Sequence, residues 1–270
     1  MYAGGMDRPD QTFPEPVVAH LEKHPWNTPL RSLLLLILVL GLFTVINFIG
    51  SGETAMAEMP ERSPLDVIAA TVLMSMMLAS VVLFGVYACG QSLGELGLRF
   101  NQPLKDILWG LPPALLLVVV ITLLTPLLDS AIGFNPEATS MFAASFKGCT
   151  GWGQALVVSA FIAISASVIE ETFRVFVITR VENIEPGRTG TWLGVTLSAL
   201  AFSMMHGYNG PAMILVSLVA GFGFAWWYAW RRNVLTLMAL HFFYDFILLA
   251  AFTHGLAYGR IALPGGGTLV

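Results

Sequence analysis

The apolar residues of this chain come in seven long runs, each of about 17 to 25 residues, the length needed to cross a hydrocarbon core of roughly 30 Å. The runs are Leu33 to Ile49, Leu65 to Ala88, Ile107 to Leu128, Gly153 to Ile178, Thr191 to His206, Ala212 to Trp230 and Val234 to Phe252. Lipid offers no partner for a bare backbone N–H or C=O, so a spanning chain must close every hydrogen bond within helices or within a closed barrel. Runs of this length fit helices. The expected fold is an all-α polytopic transmembrane helical bundle of about seven spans, six to eight allowing for boundary error. Composition agrees: 56% of residues are hydrophobic and only 11% charged, with a mean hydropathy of +0.75, too apolar for an ordinary water-soluble domain of this size.

The organisation expected is a cytoplasmic N-terminal tail over residues 1–32, a bundle over 33–254 and a C-terminal tail over 255–270 that contains Gly265, Gly266 and Gly267. The stretch before Leu33 carries both signs of charge and lacks the short basic region of a signal peptide. Trp26 marks a possible interfacial segment within it. With a cytoplasmic N-terminus, the inner side would hold Arg8, Lys23, Arg31, Arg99, Lys105, Arg180, Arg188, Arg231 and Arg232, against Arg62, Lys147 and Arg260 outside. That asymmetry sets the expected orientation. A net charge of −4 leaves no electrostatic footprint for nucleic acid. Cys89 and Cys149 fall on opposite sides of the membrane and are not expected to bridge. Pro112 and Pro113 should kink the third span or mark its first turn. The stretch from Gln91 to Phe100 reads as a short interfacial piece, that from Glu182 to Arg188 as a turn, and Asp129 to Trp152 as the longest connection, a connector or a lid.

Against this background the fourth span is anomalous. Glu170, Glu171 and Arg174 lie within two turns of it, and a charged side chain at the centre of a spanning helix costs roughly 2.5 to 3.5 kcal/mol on insertion scales. Glu170 and Arg174 share a helix face and can pair. One guanidinium balances one carboxylate, so a second carboxylate is left over. Two more polar features follow: His206 closes the fifth span, and the seventh contains His241 and Asp245, four residues apart on one face. Carboxylates and imidazoles in an apolar cavity are the parts of a water-activating site, with one group drawing a proton from water and others holding the water or an oxyanion. No motif marks a serine or cysteine nucleophile. Ser165, Ser167 and Ser203 read as small packing residues, and no HExxH is present. A zinc ion on His206, His241 and a carboxylate is an alternative.

Three fragments in order, Glu170 and Glu171 with Arg174, Phe202 with His206, and His241 with Asp245, resemble the EExxxR, FxxxH and HxxxN/D motifs of the CAAX proteases and bacteriocin-processing (Abi) enzymes, glutamate-dependent intramembrane endopeptidases. Leu93 to Arg99 resembles a short polar segment these proteins carry upstream, so the similarity covers a core of about 91–252. The resemblance implies that Glu170 activates a water with help from His206, that His241 and the residue at 245 form an oxyanion hole, and that Glu171, Arg174 and Phe202 shape the site, with no cofactor. It also implies a membrane-anchored protein or peptide as substrate. Two departures matter. The first motif is one residue short, which rotates Arg174 about 100° from its usual place and raises the alternative that Glu171 shares the work of Glu170. Asp245 stands where many members have asparagine, and an ionised Asp cannot donate to an oxyanion, so orientation of His241 is its expected role.

Two non-hydrolytic readings compete: a membrane immunity or scaffold protein that keeps the cluster for packing, and a proton-coupled transporter. The spans as drawn also leave a tension. Counted from the inner ends, His206 lies deeper than Glu170 and His241 by roughly 8 to 10 Å.

Overall fold

The computed structural model describes residues 28–50, 63–133, 143 and 145–257. The segment around Trp26, most of both tails and residues 51–62 lie outside the described residues. Seven α-helices are described: α1 (Pro29–Gly50), α2 (Pro64–Ala88), α3 (Pro103–Ile132), α4 (Trp152–Ile184), α5 (Arg188–Met205), α6 (Pro211–Arg231) and α7 (Val234–Ala257). No strand occurs among the described residues, and the fold is the polytopic helical bundle expected. Six of the helices are long and apolar enough to cross a membrane; α5 is not among them. At 18 residues and about 1.5 Å per residue it is still close to the thickness of the hydrocarbon core.

Proline opens α2, α3 and α6, where its missing N–H is no loss. Ser63 and Asp66 add a reciprocal capping box to α2. Pro112 and Pro113 do not mark a first turn: α3 starts nine residues earlier, at Pro103, and carries both inside. The largest boundary correction concerns α4. It continues to Ile184, so Glu182 and Asn183 are helical and the turn expected from Glu182 shrinks to the residues around Pro186 and Gly187. Those residues stay helical because partners on other elements satisfy their polar side chains, a cause that lies outside the local sequence.

α4 is the central helix. It packs against α7, α5, α2 and α1, while α3 pairs with α7 and α5 with α6. The α4–α5 contact is close because α5 turns a stripe of small buried residues, Gly190, Gly194 and Ser198, toward it. A β-carbon on Gly194 would stand 3.0 Å from the Cα of Ile178.

The ends of α4 and α6 nearest Arg180 and Arg232 are tied by polar side chains. Glu182 binds the Arg232 guanidinium with both carboxylate oxygens and accepts from Thr191 Oγ1 at 2.6 Å. Arg180 donates to Gln91, and Asn183 donates to Ser32 Oγ at 2.6 Å. The Arg232 side chain is thus drawn into the bundle by Glu182. Burial alone would pull its pKa down, but the hydrogen bonds and charge of Glu182 outweigh that and hold it above the ordinary arginine range. Nor is the stretch from Gln91 to Phe100 merely interfacial. The Leu96 carbonyl accepts from Tyr228 Oη at 2.9 Å and the Gly97 carbonyl from Val234 N at 3.1 Å, which clamps the turn onto α6 and α7. Cys89 and Cys149 are both free and buried, at opposite ends of the bundle. In the connection before α4, Phe146 and Cys149 pack with Val67, Ala155 and Val158 as a small second core.

Candidate active site

Glu170 and Glu171 are neighbours on α4 that point to different surroundings. Glu171 is fully buried. Its Oε2 accepts from Arg174 Nε at 2.7 Å, its Oε1 from Arg174 Nη2 at 3.2 Å, and the same Oε1 lies 2.6 Å from His241 Nδ1. The partner of Arg174 is thus Glu171 at i−3, where helix geometry had allowed Glu170 at i−4. The reason is what surrounds the guanidinium. Nη1 donates to the Gly221 carbonyl at 3.1 Å, and the cation lies 4.6 Å from the ring centre of Phe202 and 5.4 Å from that of Phe224. These contacts draw Arg174 into the α4–α5–α6 interior, on the side of Glu171. Position 221 must be glycine for this: a β-carbon there would come within 2.8 Å of the Phe202 ring.

Glu170 is the carboxylate left over. Its side chain retains 22% exposure, and Oε2 accepts no hydrogen bond from any described residue. The nearest cationic partner is His241 Nε2, at 3.8 Å. His241 is itself held from all sides. Nδ1 faces Glu171, Nε2 stands 3.2 Å from Asp245 Oδ2, and Phe224 stacks on the ring at a 4.5 Å centroid distance. Both ring nitrogens of His241 thus face a carboxylate. The one-turn spacing of His241 and Asp245 thus yields the contact expected of an orienting carboxylate.

His206 approaches from the end of α5, as its C-cap. Nδ1 lies 2.8 Å from the Phe202 carbonyl. A carbonyl only accepts, so Nδ1 carries a proton in this contact. The two histidines differ accordingly: His241 is fixed at both nitrogens, while His206 keeps one nitrogen for another partner. The depth tension eases as well, because α4 ends fourteen residues beyond Glu170 and α5 begins eighteen residues before His206. That leaves a difference of about one helical turn.

Glu170, His206, His241, Asp245 and Phe202 line one cavity of about 520 Å³, and Glu170 and His206 also face a second of about 340 Å³ bounded by α1 and α2. Of the seven residues singled out from the sequence, only Glu171 and Arg174 lie behind the cavity wall and not on it. Sequence reasoning missed four others. Phe224 and Gly221 sit in a plain apolar run, with nothing in their local pattern to mark them. Tyr208 and Asn209 line the larger cavity from the turn Gly207–Asn209; a polar turn directly after His206 was the available signal, read only as a helix stop. Ser203 donates to the Ile214 carbonyl at 2.6 Å and Ser167 to the Ile164 carbonyl at 2.9 Å, both as packing residues. Among the described residues no three His, Cys, Asp or Glu side chains form a group able to hold a metal ion.

Residues 152–247 match the family model described as Type II CAAX prenyl endopeptidase Rce1-like. No curated protein and no solved structure matches the chain. The matched segment runs from the first residue of α4 to just past Asp245, so it contains every polar side chain just described, and it supports an intramembrane endopeptidase in general. On this match and on its membrane-spanning helices, the chain is a multi-pass membrane protein whose residues 152–247 are similar to the Rce1-like CAAX endopeptidases.

Proposed function

We propose that this protein is a metal-independent glutamic endopeptidase that hydrolyses a peptide bond of a membrane-associated protein or peptide, with Glu170 as general base. The observation that carries this reading is the unequal state of the two glutamates. Both oxygens of Glu171 are engaged, whereas Glu170 has an oxygen that accepts no hydrogen bond from a described residue, on a cavity wall it shares with His206. In this scheme Glu170 takes a proton from a water that His206 Nε2 orients as acceptor. The water oxygen adds to the scissile carbonyl carbon, and the tetrahedral oxyanion forms beside His241, whose charge is kept in place by Glu171 and Asp245. Collapse breaks the C–N bond, and the proton on Glu170 passes to the leaving amine, which restores the carboxylate. Arg174 and Phe202 act through position: they hold Glu171 and the ring of His241. The arginine-rich end of the bundle, with Arg99, Lys105, Arg188 and Arg231, lies in the cytoplasm by the excess of basic residues there.

The test is a comparison of membrane-protein termini by mass spectrometry in host cells that carry wild-type protein, Glu170→Ala or His206→Ala. Termini generated by the wild type are expected to vanish in both variants while the protein stays inserted, and to persist in wild-type membranes treated with chelators. Their persistence in Glu170→Ala removes the glutamic mechanism, and their loss on chelation assigns the chemistry to a metal.

A further inference from the structure

A cavity of about 690 Å³ lies away from the candidate active site, along the first turns of α3. Its wall is one stripe of that helix: Leu104, Leu108 and Pro112 follow one another at i, i+4 and i+8, with Lys105 and Trp109 one position further round. From Leu104 to Pro112 the stripe runs about 12 Å along the axis. One end of this furrow is polar. Gln102 and Lys105 stand there, beside the start of α3 at Pro103. A second cation comes from the last turn of α6. The Arg231 guanidinium lies 5.3 Å from the ring centre of Trp109, which lines the furrow, and 5.5 Å from that of Trp230, so two indoles fix its place beside the wall. Asp106, the acidic residue of the first turn, points about 200° round the helix from Leu104 and is not part of the wall. Leu104 and Leu108 are exposed.

The furrow is thus cationic at one end and apolar along the rest, with Trp109 at the transition, where indoles sit in a bilayer. That is the polarity profile of a phospholipid. Two cations favour a head group of net negative charge over a zwitterion, and a soluble anion would gain nothing from the leucines and the proline. We propose that this furrow binds an anionic glycerophospholipid, with the phosphate between Lys105 and Arg231 and an acyl chain along Leu104, Leu108 and Pro112. The same stretch of α3 also sits on the helix that carries His241: a β-carbon on Gly110 would stand 2.6 Å from Leu240 N. A lipid bound here steadies the α3–α7 pair, and it does so whether or not the protein is a protease.

The full chain, purified in a neutral maltoside detergent, tests this without any substrate. Phosphatidylglycerol, phosphatidylcholine and glycerol 3-phosphate are added separately, and the thermal midpoint and the lipid adducts in native mass spectra are recorded. Wild type is expected to keep one phosphatidylglycerol and to gain in thermal midpoint with that lipid alone, since a ligand of the folded state stabilises it. Lys105→Gln/Arg231→Gln, which leaves the apolar wall intact, should bind phosphatidylglycerol about tenfold more weakly or worse. Leu108→Trp, which keeps both cations and fills the furrow, should lose the adduct as well. The lipid-free midpoint of each variant shows that it is folded, and Lys105→Gln alone, at an exposed position, serves should the double variant not fold. Equal adducts of the two lipids on wild type overturn the proposal, as does an unchanged phosphatidylglycerol response in the double variant. A midpoint gain with glycerol 3-phosphate equal to that with phosphatidylglycerol also overturns it, in favour of a site for free phosphate esters.

Discussion

At the scale of single residues, adjacent glutamates have opposite consequences. Glu171 and Arg174 are a buried pair at 0% and 1% exposure, and removing one partner of such a pair strands a buried charge at a cost of about 3 to 5 kcal/mol. Glu171→Gln is therefore expected to lower the thermal midpoint of the detergent-solubilised protein substantially. Glu170→Gln has no protein hydrogen bond to lose at Oε2 and should stay within about 0.5 kcal/mol of wild type while cleavage disappears. Equal loss of stability in the two variants would contradict this division of labour. It also separates the protease from a scaffold, for which a charge-neutral change at Glu170 leaves the phenotype intact. Asp245 is judged by a different substitution. An asparagine there can still accept from His241 Nε2 through its carbonyl oxygen, so Asp245→Asn should keep cleavage within about tenfold, or ~1.4 kcal/mol of transition-state stabilisation, and Asp245→Leu should not. The carboxylates and imidazoles themselves were plain in the sequence. Which glutamate was engaged was not, because a helix angle gives directions around one axis and says nothing of the Gly221 carbonyl or the two phenylalanine faces waiting on other helices.

At the scale of elements, the site depends on how closely α4 and α5 approach, since His206 caps the C-terminal end of α5 and Glu170 lies on α4. Gly194 sets that distance. A bulky side chain at this position has to push against the Ile178 backbone, and over-filling a packed contact costs about 1 to 3 kcal/mol. Gly194→Val is expected to lower stability by that amount and to reduce cleavage further than the stability loss explains, because it displaces His206 from Glu170. Activity per folded molecule, measured beside a thermal scan, tells the two effects apart; unchanged specific activity would show that the helix separation is not limiting. The apolar runs identified all seven helices, and each expected start falls within four residues of the observed one. They failed at the end of α4 for a physical reason. Glu182 and Asn183 are poor residues for an apolar helix end, and they are helical here because Arg232, Thr191 and Ser32 receive their side chains.

At the scale of the whole molecule, Glu170 and His206 line cavities toward one end of the bundle, and polar side chains tie the helices together at the arginine-rich end. The Glu182–Arg232 pair belongs to that tie. It lies twelve residues past Glu170, or about 18 Å along α4, too far to touch the chemistry. Glu182→Leu alone should cost about 3 to 5 kcal/mol, and Glu182→Leu/Arg232→Leu should recover most of it, since a buried ion pair replaced by apolar residues is often neutral. Both variants, once folded, should cleave at the wild-type rate. A double variant no more stable than the single one would mean that the pair contributes more than mutual neutralisation.

The sequence by itself determined the membrane as solvent, the helical class, the number of helices and the inventory of ionisable groups that lipid would not tolerate without a reason. Those properties are local: run length, charge and the angle between residues on one helix. Only the tertiary structure decided that Arg174 turns to Glu171, that both nitrogens of His241 are taken, and that Phe224 and Gly221 belong to the site. It also decided that Glu170 and His206 line shared cavities while Glu171 and Arg174 lie behind the wall. Each of these is a relation between helices far apart in the chain, and it is set by which neighbour fills the space beside a side chain, a quantity that no spacing along one strand of sequence contains.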